Sequence, residues 1–286
     1  MKQVLKAGNR QIDLSVPVCM GIINVTPDSF SDGAQLQRTG IDHFEVDLDL
    51  TLSRAEKMVR DGAIFIDIGG ESTRPGAETV SVEEQLARVI PVIEAIHKNL
   101  DVCISVDTSS ADVISEAITA GAELVNDIRA LTNSGALQRA VESDVAICLM
   151  HMQGQPRTMQ TIYKYDDVVK EVIEFLQQRV QSCIQAGVGK DRLLVDPGFG
   201  FGKSSEHNFK LLKHLSEFAS IDVPLLVGIS RKSMIGGAID RPVDQRLAGS
   251  IAATTLALIG GARIIRTHDV AATLDAIRVN CAYLDA

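Results

Sequence analysis

The stretch Leu193–Lys203, LLVDPGFGFGK, passes from an apolar run into an acid, a proline, three glycines and a lysine. It reads as a buried strand opening into a polar, backbone-rich turn. The same pattern recurs as CMGIINVT at Cys19–Thr26, IFIDIGGE at Ile64–Glu71, VCISVDT at Val102–Thr108 and LVNDI at Leu124–Ile128. It continues as AICLMHM at Ala146–Met152, LLVGISRK at Leu225–Lys232 and IIRTHD at Ile264–Asp269. Eight apolar runs that each end in polar groups predict parallel strands with reactive side chains at their C-terminal ends.

Between these runs, apolar residues recur at three- and four-residue steps. Helices are expected over Leu52–Asp61, Val82–Asn99, Ser110–Ala120, Gly135–Val141, Asp167–Ala186, His207–Leu215, Asp244–Leu258 and Ala271–Leu284. Ser81 with Glu84 forms a capping-box signature, and Gly121 and Gly187 follow helix ends. Strand and helix alternate eight times, which predicts an α/β fold: a (β/α)8 barrel of eight parallel strands and eight outer helices. An open doubly wound sheet is the alternative, and the eightfold count argues against it.

The 286 residues suit one barrel, which needs about 250, so residues 1–286 are expected to form one domain. No low-complexity tract divides them. Two stretches without clear periodicity, Gly33–Asp49 and Gln153–Asp166, follow the first and fifth strands and read as active-site loops.

A net charge of −9 argues against nucleic acid or an anionic membrane as partner. The five cysteines are not tightly paired, and no apolar run reaches the roughly 18 residues of a membrane span. The start, MKQVLKAGNRQIDLS, is too polar for a signal peptide. A cytoplasmic protein is expected.

Candidate chemistry sits at the strand ends. Arg74, Lys203, Lys232, Arg266 and His268 gather where strands 2, 6, 7 and 8 open into loops, and barrels often bind phosphates near strands 7 and 8. Each taken singly reads equally well as a solvated charge. Arg266 and His268, two apart on a strand, point to one side. Asp67, Asp107 and Asp196 follow apolar runs, as does Asn126. Such partly buried groups either hold loops or accept hydrogen bonds from a nitrogen-rich heterocycle.

Asn24 offers a hard oxygen, and no zinc spacing occurs. The metal use that fits is Mg2+ held by one protein oxygen together with substrate phosphates. Gly198–Lys203 is neither a Walker loop, since Pro197 stands where its first glycine belongs, nor GxGxxG. Its glycines are expected to let the backbone and Phe201 approach a flat ligand. His151 reads as a satisfied rim residue or a ligand. No Ser/His/Asp arrangement is evident, and Ser233 has no base beside it.

Eight blocks closely resemble the dihydropteroate synthase family. They are MGIINVTPDSFSDG (Met20–Gly33), DIGGESTRPGA (Asp67–Ala77), ISVDTS (Ile104–Ser109), NDI (Asn126–Ile128), MHMQGQPRTMQ (Met150–Gln160), DPGFGFGK (Asp196–Lys203), GISRKSMIG (Gly228–Gly236) and RTHDV (Arg266–Val270). The resemblance implies a (β/α)8 barrel that joins 6-hydroxymethyl-7,8-dihydropterin diphosphate to 4-aminobenzoate with loss of pyrophosphate, through an SN1-like displacement. It places the pterin against Asp67, Asp107, Asn126, Met150, Asp196 and Lys232. The diphosphate would lie on Asn24 through Mg2+, Arg266 and His268, and the aminobenzoate on Thr73, Arg74, Pro75, Phe201, Lys232 and Ser233.

Asp107, Asp196, Lys232, Arg266 and His268 carry the catalytic expectation. Thr26, Asp28, Phe30 and Asp32 would lie on a first mobile loop, with Ser72–Gly76 on a second. Leu36–Asp49 departs from the family pattern in being richer in charge. The resemblance also implies a homodimer through the later helices, where Ile251–Ile259 is apolar. Two rivals are a methyltetrahydrofolate-binding methyltransferase barrel, which has no reason to carry STRPGA and SRKS, and a non-catalytic pterin-binding paralogue, against which Arg74, Lys232, Arg266 and His268 argue.

Overall fold

The computed structural model describes residues 3–26, 36, 46–72, 80–155, 159 and 163–286. Its elements are β1 (Val4–Ala7), β2 (Arg10–Asp13), β3 (Val18–Asn24), α1 (Leu48–Arg60), β4 (Ala63–Gly69), α2 (Val82–Asn99), β5 (Cys103–Asp107), α3 (Ala111–Ala120) and β6 (Leu124–Asp127). The chain continues through α4 (Ala136–Val141), β7 (Ala146–Met150), α5 (Val168–Gln185), β8 (Leu193–Asp196), α6 (Ser205–Lys213), β9 (Leu226–Val227), α7 (Ser233–Ile239), α8 (Leu247–Ile259), β10 (Ile264–Thr267) and α9 (Val270–Leu284).

Strands β3 to β10 pair in parallel in the order β8-β7-β6-β5-β4-β3-β10-β9. The two free edges meet at a parallel bridge between Val195 and Leu225, where Val195 N–H donates to Pro224 O at 3.1 Å. Eight parallel strands therefore close into the expected barrel, wrapped by helices.

Strand periodicity divides each strand between two apolar compartments. Outward residues such as Cys19, Ile23, Ile66, Ile68, Ile104, Val125, Ile147, Val195 and Ile265 pack against the helices in one large cluster. Inward residues Met20, Phe65, Cys103, Leu124, Cys148, Leu194, Leu226 and Ile264 fill the barrel lumen. One step further along the strands the lumen turns polar, with Asp67, Ser105, Asn126, Asp196 and Arg266. The lumen thus has an apolar floor and a polar mouth at the C-terminal strand ends.

Two elements were not anticipated. The hairpin β1–β2 turns at Gly8 (φ 55) and buries Leu5, Ala7, Ile12 and Leu14 in the lumen cluster, plugging its N-terminal end. Helix α7 follows the turn after β9; Gly236 and Gly237 inside it obscured its period. Caps formed largely as expected. Ser81 Oγ accepts from Glu84 N–H at 3.2 Å, but the Glu84 carboxylate pairs with Arg88 instead of closing the capping box. Gly121 ends α3 at φ 115, where a side chain would strike His97.

Because Leu14 is fully buried in the plug, Leu14→Ala is expected to cost about 2–5 kcal/mol. Urea unfolding measures this. A loss below about 1 kcal/mol, the level of a well-tolerated core swap, would show that the plug does not support the barrel.

Candidate active site

Strand register builds the mouth. Asn24, Gly69, Asp107 and Asn126 are successive neighbours across β3, β4, β5 and β6, so their side chains share one face. Below them lie Ile22, Asp67 and Ser105 in the same register. Gly69 supplies space. A Cβ there would lie 3.4 Å from Asn24 Oδ1 and 3.6 Å from Asp107 Cβ, so the glycine lets both crowd together.

Arg266, on β10, reaches across this row. Its Nε donates to Asp67 Oδ2 at 2.5 Å and its Nη2 to Asp107 Oδ2 at 2.9 Å. Asp67 also accepts from Ser105 Oγ at 2.5 Å and from Asn126 Nδ2 at 3.2 Å. Burial opposes the Arg266 charge, yet Asp67 and Asp107 hold its pKa above the usual range. Burial pushes Asp107 up to about 7, with Arg266 opposing. Asn126 Oδ1 is buried, and among the described residues no donor reaches it.

The turn after β8 brings Asp196 and Phe201 to the same mouth. Gly198, Gly200 and Gly202 all have positive φ (70, 81 and 61), which glycine adopts without strain. A Cβ at Gly198 would overlap His151 O, and one at Gly202 would overlap Gln153 O. Gly198 and Gly202 therefore press backbone against the loop after β7, while Gly200 makes room for Lys232.

Asp196 Oδ1 accepts from Gly198 N–H at 2.7 Å, and burial raises its pKa against the pull of Lys232. Among the described residues no donor reaches Oδ2. Lys232 donates to Phe199 O and sits 4.7 Å from the Phe201 ring centroid. Burial lowers its pKa to about 8, with Asp196 opposing.

Lys203 does not join the anion-binding cations expected from the sequence. It is buried and donates to Gly198 O and Phe201 O, each at 3.0 Å, and to His151 Nδ1 at 2.9 Å. The ammonium cross-links the loops after β7 and β8. His151 is thereby a satisfied residue, its pKa lowered to about 2 by burial and by Lys203.

The turns after β9 and β10 are tied together. Arg231 grips Asp269 with Nε and Nη2 at 2.9 and 2.5 Å, and Ser230 Oγ lies 3.0 Å from His268 Nδ1. Ser233 begins α7 beside Lys232 and is exposed.

A pterin binding enzyme family profile matches residues 20–268. The dihydropteroate synthase of Haemophilus influenzae is 52% identical over 275 residues, covering 96% of this chain and 97% of its own. The chain belongs to the pterin-binding enzymes. Within them it is a member of the dihydropteroate synthases, which are transferases. The Yersinia pestis dihydropteroate synthase in a sulfonamide drug complex superposes with a TM-score of 0.93 at 49% identity, over 99% of this chain and 100% of that one. The Xanthomonas albilineans dihydropteroate synthase with 4-aminobenzoic acid gives 0.90 at 44% identity, over the full length of both.

Of the residues singled out in the sequence, Asn24, Asp67, Asp107, Asn126, Met150, Asp196, Phe201, Lys232, Arg266 and His268 lie at the C-terminal end of the barrel. Met150 pairs in register with Asp196 and is buried beside it. Thr26 follows β3 and is buried. Asp28, Phe30, Asp32, Thr73, Arg74 and Pro75 lie outside the described residues.

Ser105, Ser230, Arg231 and Asp269 were missed. Ser105 could have been found, since it alternates with Cys103 and Asp107 on the inward face of β5. The pairings of Ser230 and Arg231 depend on two turns 38 residues apart and leave no local trace.

Asp107 has a pKa raised from 3.8 to about 7, so its carboxyl is stabilising when protonated. That contribution is complete below pH 4 and lost as pH rises through about 7. Asp107→Asn lacks this loss. In the ligand-free protein, the stability of Asp107→Asn relative to wild type is expected to rise by about 1–3 kcal/mol between pH 5 and pH 8. Urea unfolding at both pH values tests this, and a constant difference would show Asp107 ionised throughout.

Proposed function

We propose that the mouth of this barrel binds 6-hydroxymethyl-7,8-dihydropterin diphosphate and 4-aminobenzoate side by side and joins them to 7,8-dihydropteroate. The observation that carries the reading is a pair of acceptors at the mouth, buried Asn126 Oδ1 and Asp196 Oδ2, that no donor reaches among the described residues. A buried acceptor without a donor is costly, so the site fits a ligand edge rich in N–H groups. The pyrimidine edge of a pterin has that character.

In this reading Asp107, Asn126 and Asp196 hold the ring over Met150, with Asp67 beneath. Asp67 acts through the guanidinium and amide that it orients. Arg266 spends Nε and Nη2 on the two acids, which leaves Nη1 to the diphosphate, together with His268. Lys232 stands between Asp196 and Phe201, and thus between the ring and the aminobenzoate. Phe201 supplies an aromatic wall and Ser233 a hydroxyl at the start of α7. Thr73, Arg74 and Pro75 complete that side by sequence resemblance.

The reaction breaks the bond between the pterin methylene carbon and the diphosphate oxygen. The electron pair leaves with pyrophosphate, and electron release from the ring, beside carboxylates, supports an SN1-like course. The aromatic amine then forms the carbon–nitrogen bond, and its surplus proton passes to pyrophosphate or water. An arylamine is nucleophilic when neutral, so the chemistry requires no strong base.

Among the described residues no trio of His, Cys, Asp or Glu could hold a metal ion. Asn24, with its oxygen beside Gly69, fits Mg2+ arriving with the diphosphate. When bound, Mg2+ would neutralise charge on the leaving group.

A homodimer is part of the proposal. Leu256 and Ile259 on α8, and Val279, Tyr283 and Leu284 on α9, are all more than half exposed on adjacent helices. They form an apolar face suited to a second copy of the chain. Among the described residues no helix is long and apolar enough to cross a membrane. The free thiols fit a reducing, cytoplasmic setting, with residues 1–286 acting as one pterin-binding domain.

Pyrophosphate release that depends on both substrates tests the activity; release without aminobenzoate would point to hydrolysis. Asp196→Asn is expected to raise the KM for pterin diphosphate about tenfold, the value of a mispaired buried group, while leaving that for aminobenzoate nearly unchanged. An unchanged pterin KM would remove Asp196 from the ring site. Leu256→Glu with Val279→Glu is expected to yield monomer in sedimentation velocity, and an unshifted sedimentation coefficient would count against this face.

A further inference from the structure

We infer that Ser230 is a positioning residue for His268, holding its imidazole in the tautomer that carries the proton on Nε2. The inference rests on the reading that His268 meets the diphosphate. Ser230 Oγ accepts from the backbone N–H of His268 at 3.3 Å, and an amide nitrogen can only donate. The hydroxyl proton still requires an acceptor, since Ser230 is buried. His268 Nδ1, 3.0 Å away, is the acceptor within reach among the described residues. A lone pair on Nδ1 engaged in this way leaves the ring proton on Nε2. The opposite tautomer would have Oγ accept twice, with its own proton unspent.

The arrangement is enforced by the backbone. Arg231, next to Ser230, is a non-glycine residue at φ 57, a conformation that persists where its surroundings impose it. Its N–H donates to Ser250 Oγ at 2.9 Å, its carbonyl accepts from Arg246 Nη1 at 2.9 Å, and its guanidinium forks onto Asp269. Asp269 is in turn the residue after His268. Each partner of the Ser230–His268 contact thus stands beside one partner of a bidentate ion pair. The left-handed residue also separates Ser230 from Lys232, so one turn serves both the histidine and the lysine.

The chemical benefit lies at the leaving group. Negative charge grows on the diphosphate as its bond to carbon breaks. An Nε2–H donor stabilises that charge, whereas an Nε2 lone pair would repel it.

The test combines nitrogen-15 NMR of the histidine rings at pH 8, where a free imidazole is neutral, with steady-state kinetics of Ser230→Ala, His268→Ala and the double variant. Wild type is expected to show the Nε2–H form of His268, and Ser230→Ala a mixture of tautomers. Ser230→Ala should lower kcat/KM for pterin diphosphate about tenfold, leave the aminobenzoate KM unchanged, and add no loss in the His268→Ala background. A wild-type ring protonated on Nδ1, or a Ser230→Ala loss that persists in full without His268, would overturn the role of Ser230. Wild-type kinetics in His268→Ala would overturn the diphosphate reading itself, and with it any part for Ser230 in the reaction.

Discussion

One guanidinium organises the mouth of this barrel. Arg266 joins β10 to β4 and β5 by spanning Asp67 and Asp107. Without it the fully buried carboxylate of Asp67 and the largely buried one of Asp107 would face each other across adjacent strands, where water screens them poorly. With it, Asp67 becomes the hub on which Ser105 and Asn126 also converge. Buried charge survives when it is paired and hydrogen-bonded, and here the pairing also fixes the orientation of the groups proposed to read the pterin. Asn126 spends its amide nitrogen on Asp67 and so presents its oxygen.

The floor and the mouth of the lumen solve different problems with one alternation. Below, Met20, Phe65, Cys103 and Leu194 make a dry interior that anchors the strands. Above, the same inward positions carry charge, and each polar group inherits its place from a packed neighbour two residues earlier. The turns are fixed differently. Lys203 uses its ammonium as a tether for carbonyls, and two left-handed glycines, Gly198 and Gly202, let the loop after β8 lie flat against the loop after β7. Asp127, pointing outward, caps Arg129 N–H and Leu131 N–H, each at 2.8 Å, and steadies a turn in which Ala130 and Leu131 both have positive φ.

The barrel was legible because its strands are apolar on both faces and close in polar groups, a pattern that eight repetitions make hard to mistake. Asp67, Asp107, Asp196 and Arg266 were legible for the same reason: each interrupts an apolar run with a charge. Lys203 misled. A lysine after glycines looks like a phosphate ligand, and the carbonyls that capture it converge only once the loop has turned. The plug β1–β2 was also hidden, since its short alternation of Leu5, Ala7, Ile12 and Leu14 is polar on its other face and has no helix after it. Helix α7 escaped because its packing, not its propensity, supports a Gly-Gly pair.

The plug carries a consequence for how the chain is made. Leu5 and Leu14 emerge long before the rest of the barrel during synthesis, yet the lumen they seal includes Leu226 and Ile264, some two hundred residues later in the chain. Until the final strands arrive the hairpin has no complete interior to enter, and its apolar face stays open to water or to a chaperone. Closure of the barrel and seating of the plug are therefore one late event. A nascent chain arrested before β10 would lack Arg266 as well, and would hold both an unsealed floor and an unneutralised pair of acids.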